Sequence, residues 1–106
     1  MLFRSRWSVS DDALLLLHAD PGLTAASAEV VREGVGNAVR HGGAEHIDVS
    51  VTCDGDGLLQ VHVADDGTRR EGAGEPGLGS RMLDEVAFRW DREMGPQGTV
   101  LSASLR

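Results

Sequence analysis

Glu33-Gly34-Val35-Gly36-Asn37-Ala38-Val39-Arg40-His41 is the stretch on which the reading of this chain turns. Upstream of it, Leu23, Ala26, Val30, Gly34 and Ala38 fall at spacings of three and four. That period predicts one long helix over residues 23–41 with an apolar face. Pro21-Gly22 breaks the chain before it, and Gly42-Gly43 ends it, as glycine past a helix commonly does. Glu33 and Asn37 are one helical turn apart and share a face, with Arg40 and His41 continuing the stripe. A carboxylate can orient a water or a metal-bound water, an amide oxygen is a hard ligand suited to Mg²⁺, and the basic pair can meet phosphate oxygens. The alternative is a solvated helix face. Gly34 and Gly36 weigh against it, because each costs a helix interior roughly 0.8–1 kcal/mol relative to Ala. Either something approaches this helix or it packs tightly on its neighbour, and packing alone suffices for Gly34.

Past the helix, Ile47, Val49 and Val51 alternate with polar residues, as do Leu59, Val61 and Val63. Both are half-buried strands, and Asp54-Gly55-Asp56-Gly57 between them makes a hairpin. A polar, glycine-rich loop covers 67–77, and a helix over 79–87 carries Met82, Leu83 and Val86 on one side. Phe88 and Trp90 alternate with Arg89 and Asp91 in another strand, Gly95-Pro96-Gln97-Gly98 turns the chain, and Val100 to Leu105 forms a last strand. Upstream, residues 2–8 and 13–19 are expected to be two short strands joined near Ser10-Asp11-Asp12. Alternating strands fit a sheet covered by helices on one face, an α+β two-layer sandwich, rather than a doubly wound parallel sheet.

The chain of 106 residues makes one domain. A formal net charge of -7 argues against general affinity for nucleic acid, which needs Lys and Arg to neutralise phosphates. Two Trp, two Phe and no Tyr offer no stacking platform for single strands. The single cysteine, Cys53, rules out an intrachain disulfide and a thiolate zinc site. The apolar run Ala13 to Leu17 is too short to span a bilayer, and the N-terminus lacks the pattern of a secretory signal. A cytoplasmic domain without membrane contact is expected.

Asp65-Asp66-Gly67 follows an apolar strand, which puts Asp65 at a strand end where its carboxylate can accept a hydrogen bond from an exocyclic amine such as adenine's. An ordinary Asp-Gly turn is the alternative. Gly72-Ala73-Gly74-Glu75-Pro76-Gly77 spells G-x-G-x-x-G, but the polar stretch Thr68 to Glu71 separates it from the strand, so it is not a dinucleotide fingerprint. Gly77-Leu78-Gly79-Ser80 is better suited to let backbone N–H groups approach a phosphate at the start of the 79–87 helix, with a flexible linker and a Ser80 N-cap as the alternative. There is no P-loop, no nucleophile elbow and no zinc spacing among the four histidines.

Taken in order, Glu33-x-x-x-Asn37 with Arg40-His41, Asp65-x-Gly67, Gly77-x-Gly79 and Gly98-Thr99 resemble the motifs of the GHKL, or Bergerat-fold, ATP-binding domains. The run Val31 to Ala44 is similar to the N box of histidine-kinase catalytic domains, especially compact ones with short lids. The resemblance covers about Val30 to Leu105. It implies a sandwich whose lid is about 67–78, with ATP and Mg²⁺ as ligands. Asn37 would bind Mg²⁺, and Glu33, the implied catalytic residue, would help place a water or the metal. Arg40 and His41 would contact phosphates, Asp65 the adenine amine with Gly67 beside it, Gly77 and Gly79 the phosphate side, and Thr99 a water shared with adenine. The sequence departs from the pattern at Arg69, where glycine is usual, and at Ser80, where an apolar residue is usual. No histidine here precedes Asp or Glu, so the phosphoacceptor histidine is expected on a separate domain, in the parent protein or in trans. The resemblance thus implies the catalytic domain of a two-component sensor kinase, signalling to a response regulator. The Gly79 to Val86 helix is also similar to that of anti-sigma-factor serine kinases, whose partner would be a sigma factor. A third reading is a degenerate domain kept only for dimerisation or docking, without nucleotide.

Overall fold

A computed structural model describes residues 4–67 and 78–106, with the backbone alone at His41, Gly42 and Leu78. Among these residues the chain runs through β1 (Arg4–Val9), α1 (Asp11–Ala19), α2 (Pro21–Asn37), a π-helical turn (Ala38–Gly42), β2 (His46–Cys53), β3 (Leu59–Asp65), α3 (Leu78–Val86), β4 (Arg89–Gly95) and β5 (Gly98–Leu105). The strands form one sheet in the order β1-β2-β3-β5-β4. β1 pairs with β2 in parallel, and every other pairing is antiparallel. The fold is α+β, a mixed sheet with its helices on one face.

The alternation read from the sequence sets which face that is. Ile47, Val49 and Val51 of β2, Leu59, Val61 and Val63 of β3, and Leu101, Ala103 and Leu105 of β5 point under the helices and are buried. Val30 of α2, Ala38 of the π turn and Leu83 of α3 close the core from above. The outer face is polar and internally bonded. His62 Nδ1 lies 2.9 Å from the Ser102 hydroxyl, and Ser104 donates to Gln60 Oε1 over 2.8 Å. The hairpin turn forms where Asp54-Gly55-Asp56-Gly57 predicts it. Asp54 accepts from the Asp56 and Leu58 amides, which holds its carboxyl below the usual carboxylate range.

Residues 13–19 correct the expectation of a strand: they lie in α1. Ser10 caps that helix by accepting from the Ala13 amide, and Asp11 and Asp12 occupy its first turn, where acidic side chains favour the helix dipole. A continuous apolar run carries no period, so Leu14 to Leu17 could not distinguish the two states. Two of these leucines, Leu14 and Leu15, remain exposed. The break at Pro21 is also a beginning. Asp20 is the N-cap of α2, accepting from the Leu23 amide, and Pro21 sits at the first helical position, where its missing N–H costs nothing.

Candidate functional site

Four of the expected site residues lie on one continuous helical stretch. Its α-helical part ends at Asn37, after which the chain widens into the π turn that holds Arg40 and His41. Gly43, at φ 60°, closes this turn, and the Ala44 amide donates back to Ala38 over 3.2 Å. A π turn shifts the register of everything after Asn37, so Arg40 does not stand where a straight α-helix would put it. Its guanidinium folds back over Gly36, whose missing side chain leaves room for it: a Cβ there would lie 2.9 Å from an Arg40 nitrogen.

Gly34 has the opposite surroundings. A Cβ at this position would lie 2.7 Å from Val63 Cβ. The glycine lets α2 lie directly on β3, two residues before that strand ends at Asp65. Glu33 and Asn37 belong to the same helix, whose approach to β3 is set at this glycine.

Glu33 is where three elements meet. Asn37 donates its amide N–H to Glu33 Oε2 within α2. From β4, Arg92 brings Nη2 to 3.8 Å of the same oxygen, both side chains being more than four-fifths buried (16% and 17% exposed). From α3, the backbone of Gly79 packs so closely on the carboxylate that a Cβ there would overlap it. Gly79 is the second residue of α3, so the Glu33 carboxylate rests against the positive end of that helix. α3 is held in place partly by Trp90, whose indole N–H donates to Asp84 over 2.8 Å. A groove of about 450 Å³ opens here, lined by Glu29, Arg32, Glu33, Arg40, Gly79 and Met82.

The other end of the site is built from strand ends. Asp65 closes β3 and faces Thr99 across the β3–β5 ladder. Its Oδ1 accepts from the Gly67 amide at 2.9 Å, and Gly67 is buried. Thr99 is buried as well. Gly98 has φ +136°, and a Cβ there would run into the Asp65 carbonyl oxygen. A recess of about 370 Å³ borders Asp65, Thr99 and the β4–β5 turn. Both openings fall in the range of about 300–1,000 Å³ usual for small-molecule sites.

Glu33, Asn37, Arg40 and Gly79 therefore gather at one end, and Asp65, Gly67 and Thr99 at the other. The His41 side chain, Gly77, Arg69 and the glycine-rich run 72–77 lie outside the described residues. Two residues were missed by sequence reasoning. Arg92 carried no local signal, since the strand Arg89–Gly95 reads only as alternation, and its inward position depends on pairing with Leu101. Asp66 stood as the spacer between Asp65 and Gly67, yet its carboxylate accepts from the Glu45 and His46 amides at 2.9 and 3.0 Å and lies 2.7 Å from His46 Nδ1. These bonds pull its pKa down to about 2.

The donor set suits Mg²⁺. Asn37 turns its N–H toward Glu33, which leaves its amide oxygen as the hard atom for a cation. Among the described residues no group of three or more His, Cys, Asp or Glu could hold a metal by itself.

No protein-family model and no curated protein matches the sequence. Solved structures match its shape. The blue-light activated histidine kinase of Erythrobacter litoralis superposes with TM-score 0.72 at 18% identity, over 99% of this chain and 35% of that one. The histidine kinase domain of the same protein gives 0.70 at 19%, over 95% and 54%. The Acinetobacter baumannii histidine kinase AdeS gives 0.67 at 11%, over 97% and 53%. The fold is thus histidine-kinase-like. The chain spans between about a third and about half of the structures it matches. Among the described residues no helix is long and apolar enough to cross a membrane.

Proposed function

We propose that this chain is a Mg-ATP-binding catalytic domain of the GHKL type, which passes the γ-phosphate of ATP to a histidine on a separate dimerisation domain of a sensor kinase. The observation that carries the reading is the meeting of Glu33, which Asn37 hydrogen-bonds, with the first turn of α3 at one groove. A helix N-terminus, a hard amide oxygen and a carboxylate together suit a metal-bound polyphosphate. The histidine-kinase-like fold supports the same reading and favours it over an anti-sigma-factor kinase.

In this reading Asp65 accepts the exocyclic amine of adenine, with the Gly67 amide fixing its carboxylate and Thr99 beside it. Asn37 would hold Mg²⁺ through its amide oxygen, and a bound ion would offset phosphate charge. Arg40 can swing from Gly36 toward the phosphates, since its guanidinium packs there only by its flexible end. Glu33, steadied by Arg92, orients the proton-bearing partner at the reacting end. Gly79 stands on the phosphate side. The phosphoacceptor domain is the partner this chemistry requires, and a response regulator would be a downstream one.

Displacement of a fluorescent ATP analogue tests the assignment. Asp65→Asn turns part of the acceptor into a donor facing the adenine amine and is expected to weaken binding about tenfold or more, the value of one hydrogen bond to a charged group. Unchanged binding by that variant would remove Asp65 from the pocket.

A further inference from the structure

We propose that Asp66 is a positioning residue for base recognition: by tying the Asp65-Gly67 turn to the start of β2, it fixes the direction of the Asp65 carboxylate. The proposal rests on the nucleotide reading above. Asp66 accepts three bonds from two consecutive residues, the Glu45 and His46 amides and the His46 ring. Its own amide donates to the His46 carbonyl at 3.3 Å. Four bonds thus cross between a turn and a strand start some twenty residues apart. A turn that only needed to reverse the chain would be served by Asp65 and the Gly67 amide alone.

The partner segment is as informative as the bonds. Glu45 and His46 follow directly on the π turn and its closing residues Gly43 and Ala44, and Ala44 is buried. The chain leaving the Glu33–Asn37 helix is therefore pinned to the turn that presents Asp65. Asp66 joins the two ends of the site through the main chain without itself facing a ligand. Its lowered pKa accords with a carboxylate whose charged form is used as the clamp.

A carboxylate held in one direction discriminates between purines. Adenine offers an amine at C6, whereas hypoxanthine offers a carbonyl that leaves an acceptor facing an acceptor, so a rigid Asp65 rejects inosine triphosphate. A loosened Asp65 turns aside and rejects it less. The test is competition of ATP and inosine triphosphate against a fluorescent nucleotide on the 106-residue chain, read as the ratio of the two affinities. Asp66→Ala is expected to lower that ratio about tenfold, the size of one charged hydrogen bond. Asp66→Asn keeps an oxygen for the two amides and is expected to stay near the wild-type ratio. His46→Ala removes only the ring bond and should lower the ratio part-way, which keeps the test available if Asp66→Ala does not fold. A merely structural role would weaken both nucleotides equally, and an unchanged ratio in Asp66→Ala or His46→Ala overturns the proposal. If the wild-type chain binds neither nucleotide, the proposed function falls and this inference with it. If the wild type discriminates and the variants do so equally well, only this inference falls.

Discussion

The two ends of the candidate site are made differently. At the Asp65 end, backbone does the shaping: a strand terminus, an amide donating to a carboxylate, and a glycine pressed against a carbonyl. At the Glu33 end, side chains from α2 and β4 converge with the backbone of α3 on a single carboxylate. The first kind of construction is stiff because a hydrogen-bonded ladder enforces it. The second is adjustable, since guanidinium and amide groups can exchange one partner for another. In the proposed nucleotide reading, the rigid end would serve the base and the adjustable end the phosphates.

Glycine substitutions break this contrast most sharply. Gly98→Ala puts a Cβ against the Asp65 carbonyl in a backbone region that only glycine adopts readily. It is expected to cost about 2–4 kcal/mol of stability, visible as a large fall in Tm, because neither the ladder nor the turn can move aside. Gly34→Ala forces α2 off Val63, and overpacking of this kind costs about 1–3 kcal/mol. Because it also shifts the helix that carries Glu33 and Asn37, its nucleotide affinity should fall more than its stability does. Arg92→Met removes the cation beside Glu33 and leaves a largely buried carboxylate without its ion-pair partner, which should lower stability in denaturant unfolding. The Mg²⁺-dependent part of nucleotide binding should weaken in that variant while binding without Mg²⁺ changes little. Gly36→Ala, one turn before Arg40, has the opposite sign to Gly34→Ala. The new Cβ meets only the end of the Arg40 side chain, which can swing away, so helix propensity should add about 0.5–1 kcal/mol. Thermal melts of the two alanine variants side by side check the pair.

The smallest effect is one of acidity. The Asp66 pKa is about 2 in the folded chain against 3.8 for the free group, so the folded state binds its proton less readily than the unfolded state does. The stability that Asp66 contributes is therefore fully present above about pH 4 and lost as pH falls toward 2. Wild-type Tm should drop more steeply across that window than the Tm of Asp66→Asn. Equal slopes would mean that the clamp contributes nothing.

What the sequence could disclose follows the same division. Strand faces, the hairpin and the long helix were legible because period and turn chemistry are local. Asp65 and the Glu33–Asn37 pair were legible as candidates for the same reason. The run 13–19 was not, because four consecutive leucines fit a buried strand and a short helix equally until the Ser10 cap is recognised. The opposite meanings of Gly34 and Gly36 were not either: one depends on Val63, some thirty residues away, and the other on a π turn that bends Arg40 back. Arg92 and Asp66 act through partners remote in sequence, Glu33 and the Glu45–His46 pair.

The central claim is that one nucleotide bridges the two ends. It is tested most directly by titrating the 106-residue chain with ATP by calorimetry, with and without Mg²⁺. The expected result is saturable one-site binding that Mg²⁺ strengthens in the wild type and no longer strengthens in Asn37→Asp. No heat of binding at millimolar Mg-ATP would contradict it.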